Sequence, residues 1–311
     1  MGFSALVLTV VAMATAGVHH TETGCFEHPA QCGYPAVSNT GVPPGTQLKK
    51  SGSIEVDDPG TVLTNLQVEG TVTVSAPDVT IRDSVISPPD GGSGSFAIEL
   101  REGADDFTLE SSEVAGRDPR NGLESAVWNH DGVRNATAID SYLHGCADCW
   151  EGPGNFNRDL IVVDASYPGS HDEDIYVCGG AVRVEHSTLI NRHDQTATVF
   201  GDTSGCGGNH FVVTENLLAG GGYVLYPQAN SDSSVGYMKV TRNRFARCRG
   251  NHSHDPRSGG TECSGGPNES GIWAYGGYFG VAAYYYLDGR NVWKENFWDD
   301  NLEPVCLQRH C

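Results

Sequence analysis

The stretch FVVTENLLAGGGYVLY, residues 211–226, decides the fold. Two short apolar strands, FVV and LL, flank a polar corner at Glu215-Asn216. The glycine run 220–222 then bends the chain, and a third strand, YVLY, begins at once. Short apolar runs bounded by Gly and Asn predict strands joined by tight turns rather than helices.

This strand–corner–strand unit recurs along the chain. Each copy places an apolar residue, two polar residues and a small or amide residue before a strand, as in IRDSVI, LESSEV, AIDSYL, VVDASY, VEHSTL, VTENLL, VTRNRF and WKENFW. The small or amide positions are Ser84, Ser112, Ser141, Ala165, Ser187, Asn216, Asn243 and Asn296. Their spacing is 22 to 29 residues before a final gap of 53, which is typical of a coiled solenoid. We interpret these residues as structural corners.

Several phrases resemble a known architecture. VTVSAPDVTIRDSVI, VRVEHSTLI and VVTENLL are similar to rungs of right-handed parallel β-helix proteins, the architecture of pectate lyases and related polysaccharide enzymes. GYPAVSNTGVPPGT, NLLAGGGYVLY, GGYFG and NVWKENFWDDNLEPV more narrowly resemble a group of secreted β-helix proteins common in actinobacteria, which has no settled reaction. The resemblance covers about residues 33–305. It implies an all-β, right-handed parallel β-helix (solenoid) of about eight to ten coils with a capped C-terminus.

The charge balance restricts the partners. The 311-residue chain has a formal net charge of −20, with 19 Lys and Arg against 39 Asp and Glu. A nucleic-acid partner requires a basic surface, so the composition argues against one. An acidic chain is compatible with cation binding or simply with a solvated acidic surface.

The N-terminus predicts secretion. Residues 6–14 form an apolar core, and Ala14-Thr15-Ala16 is a small-x-small cleavage site. The apolar run is too short to span a bilayer, so no membrane insertion is expected after cleavage. We expect a signal peptide at 1–16, an N-terminal loop or cap segment at 17–50 that closes the N-terminal end of the fold, and the β-helix domain at 51–311.

Ten cysteines, an even number, fit an oxidising compartment. A zinc site is the alternative for Cys146-x-x-Cys149, but no second close CxxC completes a four-ligand set. Disulfides are therefore the favoured interpretation. Eight of the ten fall in close pairs, and Cys178 and Cys206 remain; the pairs are Cys25/Cys32, Cys146/Cys149, Cys248/Cys263 and Cys306/Cys311.

A candidate acidic ladder follows from the repeat. Counting back 13 or 14 residues from successive corners finds Glu99, Glu151, Asp174 and Asp202, with Val127 or Trp128 in the coil after Glu99. Equal offsets approximate one column along a sheet, whose strands lie about 4.8 Å apart. Glu151, Asp174 and Asp202 could hold calcium, the candidate cofactor. The alternatives are an acid/base carboxylate pair and a solvated acidic face.

The densest polar segments supply candidate catalytic residues. Calcium-dependent pectate lyases, which share the resembling architecture, combine acidic residues on adjacent coils with a basic proton abstractor. A β-eliminating enzyme needs such a base and a group that neutralises the uronate carboxylate. We assign catalysis to His171, Asp174, Arg192 and His193, and substrate binding to Gln195, Trp150, Tyr176 and Tyr226.

The predicted function is that of a secreted polysaccharide lyase that cleaves an acidic, uronate-containing glycan by β-elimination. A glycoside hydrolase with a carboxylate pair on adjacent coils is one alternative. A non-catalytic glycan-binding or structural β-helix protein is the other. The expected partner is an extracellular polysaccharide. The sequence leaves the linkage and the oligomeric state open.

Overall fold

The computed structural model of the protein describes residues 24–129, 132–193, 197–202, 209–227, 237–247, 280–287 and 289–311. These segments contain strands and no helix, and their strands form three parallel sheets of ten, nine and nine strands. The chain visits the sheets in a fixed rotation, so each strand pairs with the strand three places later. The predicted parallel β-helix fold is therefore confirmed.

The three sheets are named A, B and C. Sheet A contains β1 (Lys49–Ser51), β4 (Leu66–Val68), β7 (Val85–Ile86), β10 (Glu113–Ala115), β13 (Tyr142–His144), β16 (Leu160–Val163), β19 (Thr188–Asn191), β22 (Leu217–Gly220), β25 (Arg244–Phe245) and β28 (Phe297–Trp298). Sheet B contains β2 (Ile54–Val56), β5 (Val72–Val74), β8 (Gly92–Leu100), β11 (Leu123–Trp128), β14 (Cys146–Glu151), β17 (Glu173–Cys178), β20 (Ala197–Asp202), β23 (Tyr223–Tyr226) and β26 (Gly280–Ala282). Sheet C contains β3 (Val62–Thr64), β6 (Thr80–Arg82), β9 (Thr108–Glu110), β12 (Thr137–Ile139), β15 (Gly154–Asn157), β18 (Gly180–Glu185), β21 (Asn209–Thr214), β24 (Tyr237–Thr241) and β27 (Val292–Lys294).

One continuous apolar core fills the space between the sheets, from Val56 to Leu307. Alternate side chains of each strand face inward, so in-register pairing stacks like positions of neighbouring coils. Val127, Trp150 and Ile175, for example, pair in one row and are all fully buried. At the last coil, the Trp293 indole N–H donates to the Val305 carbonyl over 2.7 Å, and both residues are buried.

A ladder of small and amide side chains forms the corner between sheets C and A. Each member accepts a hydrogen bond from the backbone N–H of the member one coil earlier, as from Ser187 N to Asn216 Oδ1 (2.8 Å). All members are fully buried, and burial keeps these polar groups bonded to one another. The ladder runs through Ser84, Ser112, Ser141, Asp159, Ser187, Asn216, Asn243 and Asn296.

Seven of the eight predicted corners are correct, and Ala165 is wrong. Asp159 stands in the ladder instead, because the coil after Ser141 is only 18 residues long and the next is 28. Ala165 lies in the connection between β16 and β17. The residue before each corner adopts a left-handed backbone conformation, with φ from 45° at Ser111 to 62° at Glu215. This repeated conformation turns the chain sharply from sheet C into sheet A.

The N-terminal segment 24–48 forms a strap along the outer face of sheet A. It starts at the last coil, where Asp299 accepts from the N–H groups of Cys25 (3.1 Å) and Phe26 (2.9 Å). Its middle places the Tyr34 ring against that of His186, at 5.6 Å between centroids. It ends at the first coil, entering β1. The segment was expected to close the N-terminal end of the fold. In the structure it runs along sheet A from the last coil to the first.

A second apolar cluster lies under the strap. Tyr34 and Phe26 pack on outward residues of β16, β19 and β22, including Leu160, Ile190 and Leu217. The strap therefore hides an outer sheet face that would otherwise expose apolar side chains to water.

Three of the predicted disulfides are formed: Cys25–Cys32, Cys146–Cys149 and Cys306–Cys311. The zinc alternative for Cys146 and Cys149 is thus excluded, since both sulfurs are bonded to each other. The pair Cys248/Cys263, as well as Cys206 and the signal segment 1–16, lie outside the described residues. Disulfides are consistent with an extracellular protein. Across the described segments, no helix has the length and hydropathy to cross a bilayer.

Candidate functional site

The outer face of sheet B carries one unbroken column of side chains across eight strands, here called the outer column. In-register pairing places each member beside the next. Seven steps of about 4.8 Å make the column about 34 Å long, enough for an extended polymer. Its members, in order, are Glu55, Thr73, Glu99, Trp128, Glu151, Tyr176, Phe200 and Tyr226.

The C-terminal half of the outer column is an aromatic stack. Tyr176 and Phe200 lie 5.5 Å apart with nearly parallel rings, and Phe200 and Tyr226 lie 4.8 Å apart. Tyr284, 68% exposed, extends the stack at 4.9 Å from Tyr226. Tyr176, Phe200 and Tyr226 are half-buried and keep one side open to solvent. Aromatic faces of this kind offer large apolar area with polar rims, which suits sugar rings.

Carboxylates gather where the aromatic stack meets Glu151. Asp148 of β14 pairs in register with Glu173 of β17, and the Glu173 N–H donates to Asp148 Oδ1 over 3.0 Å. Ser125, one strand earlier in β11, lies opposite Asp148, and its hydroxyl hydrogen-bonds Glu151 Oε1. Three carboxyl groups on two neighbouring strands therefore share a small region beside the outer column.

The environment of Asp148 raises the pKa of its carboxyl. Burial raises the pKa of Asp148 well above the ordinary value of 3.8. The charge of Glu173, a hydrogen bond between the two side chains and the charge of Glu151 raise it further. Like charges at close range cannot both ionise freely, so the Asp148–Glu173 pair holds a proton at a pH where a lone carboxyl would have lost it.

The connection 164–172, between β16 and β17, brings Tyr167 close to these carboxyls. Burial and the charges of Glu124, Asp148, Glu151 and Asp172 raise the pKa of Tyr167 to about 12. The phenol is therefore protonated at neutral pH and can donate a hydrogen bond. Ser170 Oγ lies 2.8 Å from the Tyr167 carbonyl oxygen and 2.7 Å from Asp172 Oδ1, and its single proton can be donated to either acceptor.

The predicted ladder of Glu151, Asp174 and Asp202 does not form. Glu151 is in the outer column, but the next two members after it are Tyr176 and Phe200 rather than Asp174 and Asp202, because the offset from the corner changes between coils. Asp202 pairs with Cys178 and accepts a hydrogen bond from the Tyr176 hydroxyl over 3.2 Å. Asp174 is fully buried beside the backbone of Val163 and Ile190 in sheet A, where burial raises its pKa well above 3.8.

Glu151, Asp174 and Asp202 do not fit a shared calcium site, because the strand pairing places none of them beside another. In the described part of the chain, no three His, Cys, Asp or Glu side chains are grouped to hold a metal ion.

The predicted catalytic bases lie along the edge between sheets A and B. His171 is exposed in the connection before β17. Arg192 and His193 follow β19, and His193 Nδ1 lies 3.6 Å from Oδ2 of the fully buried Asp172. Gln195 lies outside the described residues.

Among the predicted substrate-binding aromatics, Tyr176 and Tyr226 lie in the outer column. Trp150 is fully buried in the core, packed edge-on against Phe156 at 4.9 Å between centroids. It cannot contact a ligand on the outer face, so it is removed from the site. The inward position follows from strand alternation, since Trp150 directly precedes the outward Glu151.

Sequence reasoning missed Asp148, Glu173, Trp128 and Phe200 as site residues. Trp128 was named only as an alternative to Val127 for the position after Glu99 in the predicted acidic column. A count of 13 or 14 residues back from Asp159 gives Cys146 or Gly145 rather than Glu151, so no fixed offset from the corners could have found the register.

Comparison with known proteins finds no matching family model, no matching curated protein and no matching solved structure.

Proposed function

We propose that the protein is a polysaccharide-degrading enzyme that hydrolyses a glycosidic bond on the outer face of sheet B. The observation that carries this proposal is the group of three neighbouring carboxyls, Asp148, Glu173 and Glu151, at the point where the aromatic stack of the outer column begins. Two carboxyl groups held in different protonation states are the basic requirement of glycoside hydrolysis.

The roles follow from the environments of the two carboxyl groups. Asp148, kept protonated by burial and by Glu173, is the general acid that gives its proton to the leaving glycosidic oxygen. Glu151 accepts the Ser125 hydroxyl hydrogen bond, which orients it as the base or nucleophile. The anomeric configuration of the first product distinguishes these two roles of Glu151.

The aromatic half of the column binds the sugars next to the cleaved bond. Tyr176 and Phe200 present neighbouring half-open rings directly beyond Glu151, so bound sugar rings would stack along the polymer axis. We also propose that the protein belongs to the group of secreted, pectate-lyase-like β-helix proteins. The fold and the disulfides support this part of the proposal.

β-Elimination is the second candidate. It is favoured by the contact between His193 and the buried Asp172, because a carboxylate beside an imidazole orients it and supports it as a proton abstractor. The hydrolase is preferred because the carboxyl pair adjoins the outer column, whereas His193 lies in the connection between β19 and β20.

One assay separates the candidates. The protein is incubated with a panel of neutral, amino-sugar and uronate polysaccharides, and both new reducing ends and ultraviolet absorbance of unsaturated products are measured. Hydrolysis produces reducing ends without absorbance, and Asp148→Asn and Glu151→Gln abolish it. Glu185→Gln, on exposed sheet C, is the matched control that keeps full activity. Absorbance that depends on His193 supports the lyase instead. Glycan retention without any product indicates a binding protein and overturns the enzyme proposal.

A further inference from the structure

Charge is segregated among the three sheets. The strands of sheet B contain no Lys or Arg, whereas those of sheet A contain Lys49, Lys50 and Arg244 and those of sheet C contain Arg82, Arg183, Lys239 and Lys294. The same sheet B strands hold eight acidic residues, against one in sheet A and two in sheet C. These eight are Glu55, Glu99, Glu124, Asp148, Glu151, Glu173, Asp174 and Asp202.

The acidic residues of sheet B accompany the outer column along its length. Glu55 and Glu99 belong to its N-terminal half, Glu151 to its middle, and Asp202 bonds the hydroxyl of Tyr176 further on. Asp174, buried beside sheet A, and Asp148 are exceptions, because burial raises the pKa of both carboxyls well above 3.8. A glycan that lies on the outer column therefore meets a negative potential along its path.

A cavity of about 260 Å³ marks the N-terminal half of the outer column. Its lining combines carboxylates, hydroxyl groups and one aromatic ring: Ser53, Glu55, Thr71, Thr73, Gly94, Phe96 and Glu99. Phe96 stacks on Trp128 at 5.3 Å, which gives the cavity an apolar wall continuous with the column. A sugar bound here would find a ring to stack on and hydroxyl and carboxylate acceptors around it.

The nearby cation is already paired. Arg101, which directly follows β8, lies 2.5 Å from Glu99 and has its guanidinium 5.5 Å from the Trp128 ring centroid. Glu55 is exposed and has no ion pair among the described residues, so its charge is open to a ligand. The cavity thus keeps a net negative charge after Arg101 has neutralised Glu99.

We propose that the glycan bound along the outer column is cationic, carrying free amino groups as in glucosamine polymers, and that the cavity at Glu55 and Glu99 binds one of its amino sugars. This inference rests on the proposed function and specifies its substrate class. A protonated amine gains attraction and hydrogen bonds from the carboxylates. A uronate chain would face like charges at the acidic members of the column, Glu55, Glu99 and Glu151. The expected uronate substrate is therefore replaced by an amino-sugar glycan.

The test compares three labelled hexasaccharides: β-1,4-linked glucosamine, its fully N-acetylated counterpart and oligogalacturonate. Binding to the full-length protein is measured by fluorescence anisotropy at pH 6 from low to high salt, and cleavage is followed on the same samples. We expect the glucosamine hexasaccharide to bind about tenfold more tightly than the N-acetylated one at low salt, with the difference shrinking as salt rises.

Two variants locate the contribution of the cavity. Glu55→Gln with Glu99→Gln should weaken glucosamine binding about fivefold and leave N-acetylated binding unchanged. Glu185→Gln on sheet C is the control that changes neither. Equal or tighter binding of oligogalacturonate overturns the inference, even where cleavage of some glycan still supports the proposed function. Tight glucosamine binding without cleavage supports the inference and counts against the enzyme. If the cavity variant matches the control, the cavity is not the amino-sugar site.

Discussion

The backbone N–H of Ser141 donates to Asp159 Oδ1 over 2.8 Å, so an aspartate occupies a place in a ladder otherwise built of Ser and Asn. Asp159 Oδ2 accepts a second bond from Asn157 N over 2.9 Å. The side chain is fully buried, and burial raises its pKa well above 3.8 despite these two donors. The corner at Asp159 thus holds a carboxyl group. In three later coils the corner residue is an asparagine with a neutral amide: Asn216, Asn243 and Asn296.

Asp159→Asn should stabilise the protein at neutral pH. The folded-state pKa of Asp159 is raised, so its stabilising contribution is complete below 3.8 and is lost as pH rises through the folded value. An asparagine removes this loss, although its amide nitrogen cannot accept from Asn157 N as Asp159 Oδ2 does. The amide can donate instead, as that of Asn216 does to the Val184 carbonyl over 2.9 Å. We expect a gain of about 1 kcal/mol at pH 7 and little change near pH 4, measured by thermal unfolding. Asp159→Ala should destabilise at both pH values.

The pH dependence of catalysis should report the Asp148–Glu173 pair. Asp148 must be protonated to act as the acid, so activity should fall as pH rises through its raised pKa. Glu173→Gln removes the neighbouring charge, lowers the pKa of Asp148 and should move the alkaline limb of kcat/KM to lower pH. Asp148→Asn should reduce kcat by about 10²- to 10⁴-fold. An unmoved alkaline limb in Glu173→Gln would mean that another group is the acid.

The aromatic stack should contribute to substrate binding. Phe200→Ala removes the central ring between Tyr176 and Tyr226, and we expect the affinity for the cleaved glycan to fall by about 1 kcal/mol, roughly fivefold. Isothermal titration calorimetry with an inactive Asp148→Asn background measures this loss directly. Tyr237→Ala removes a ring from sheet C, beside His210, and is the control that should bind normally. Equal losses in the two variants would indicate a general folding effect.

The strap should depend on Asp299. This buried carboxylate accepts from Cys25 N and Phe26 N and lies 3.9 Å from Arg244, so Asp299→Ala removes the acceptor of two buried N–H groups and a negative charge beside Arg244. We expect a loss of about 3 kcal/mol in unfolding free energy, with faster cleavage within residues 24–48 in limited proteolysis. Asp299→Asn keeps an acceptor and should lose less. Proteolysis that begins elsewhere would show that the strap is held by other contacts.

The fold was predictable because the corner residues recur at visible spacing. Ser84, Ser112 and Ser141 follow each other at 28 and 29 residues, and the ladder in the structure uses these same side chains. The prediction failed at Ala165, because Asp159 had not been recognised as a corner residue and one coil is short. A ladder position constrains size and hydrogen bonding, and a buried aspartate that accepts from Ser141 N meets both constraints.

The candidate site was predictable only in part, because it depends on register rather than on residue type. Glu151 and Tyr176 were found separately, but their pairing across β14 and β17 replaces the ladder that Asp174 was expected to continue. A shift of two residues leaves the inward or outward side of a strand unchanged, so alternation could not expose the error. Connections such as 164–172 absorb such shifts, and their lengths have no visible period.

The strap gives the protein an order of assembly that its coils alone would not impose. Stacked coils need only their immediate neighbours, so each could form as soon as it leaves the ribosome. The Cys25 end of the strap, however, binds Asp299, 274 residues later in the chain. This end of the strap, the most N-terminal part that the structure describes, therefore finds its partner only when the final coil exists.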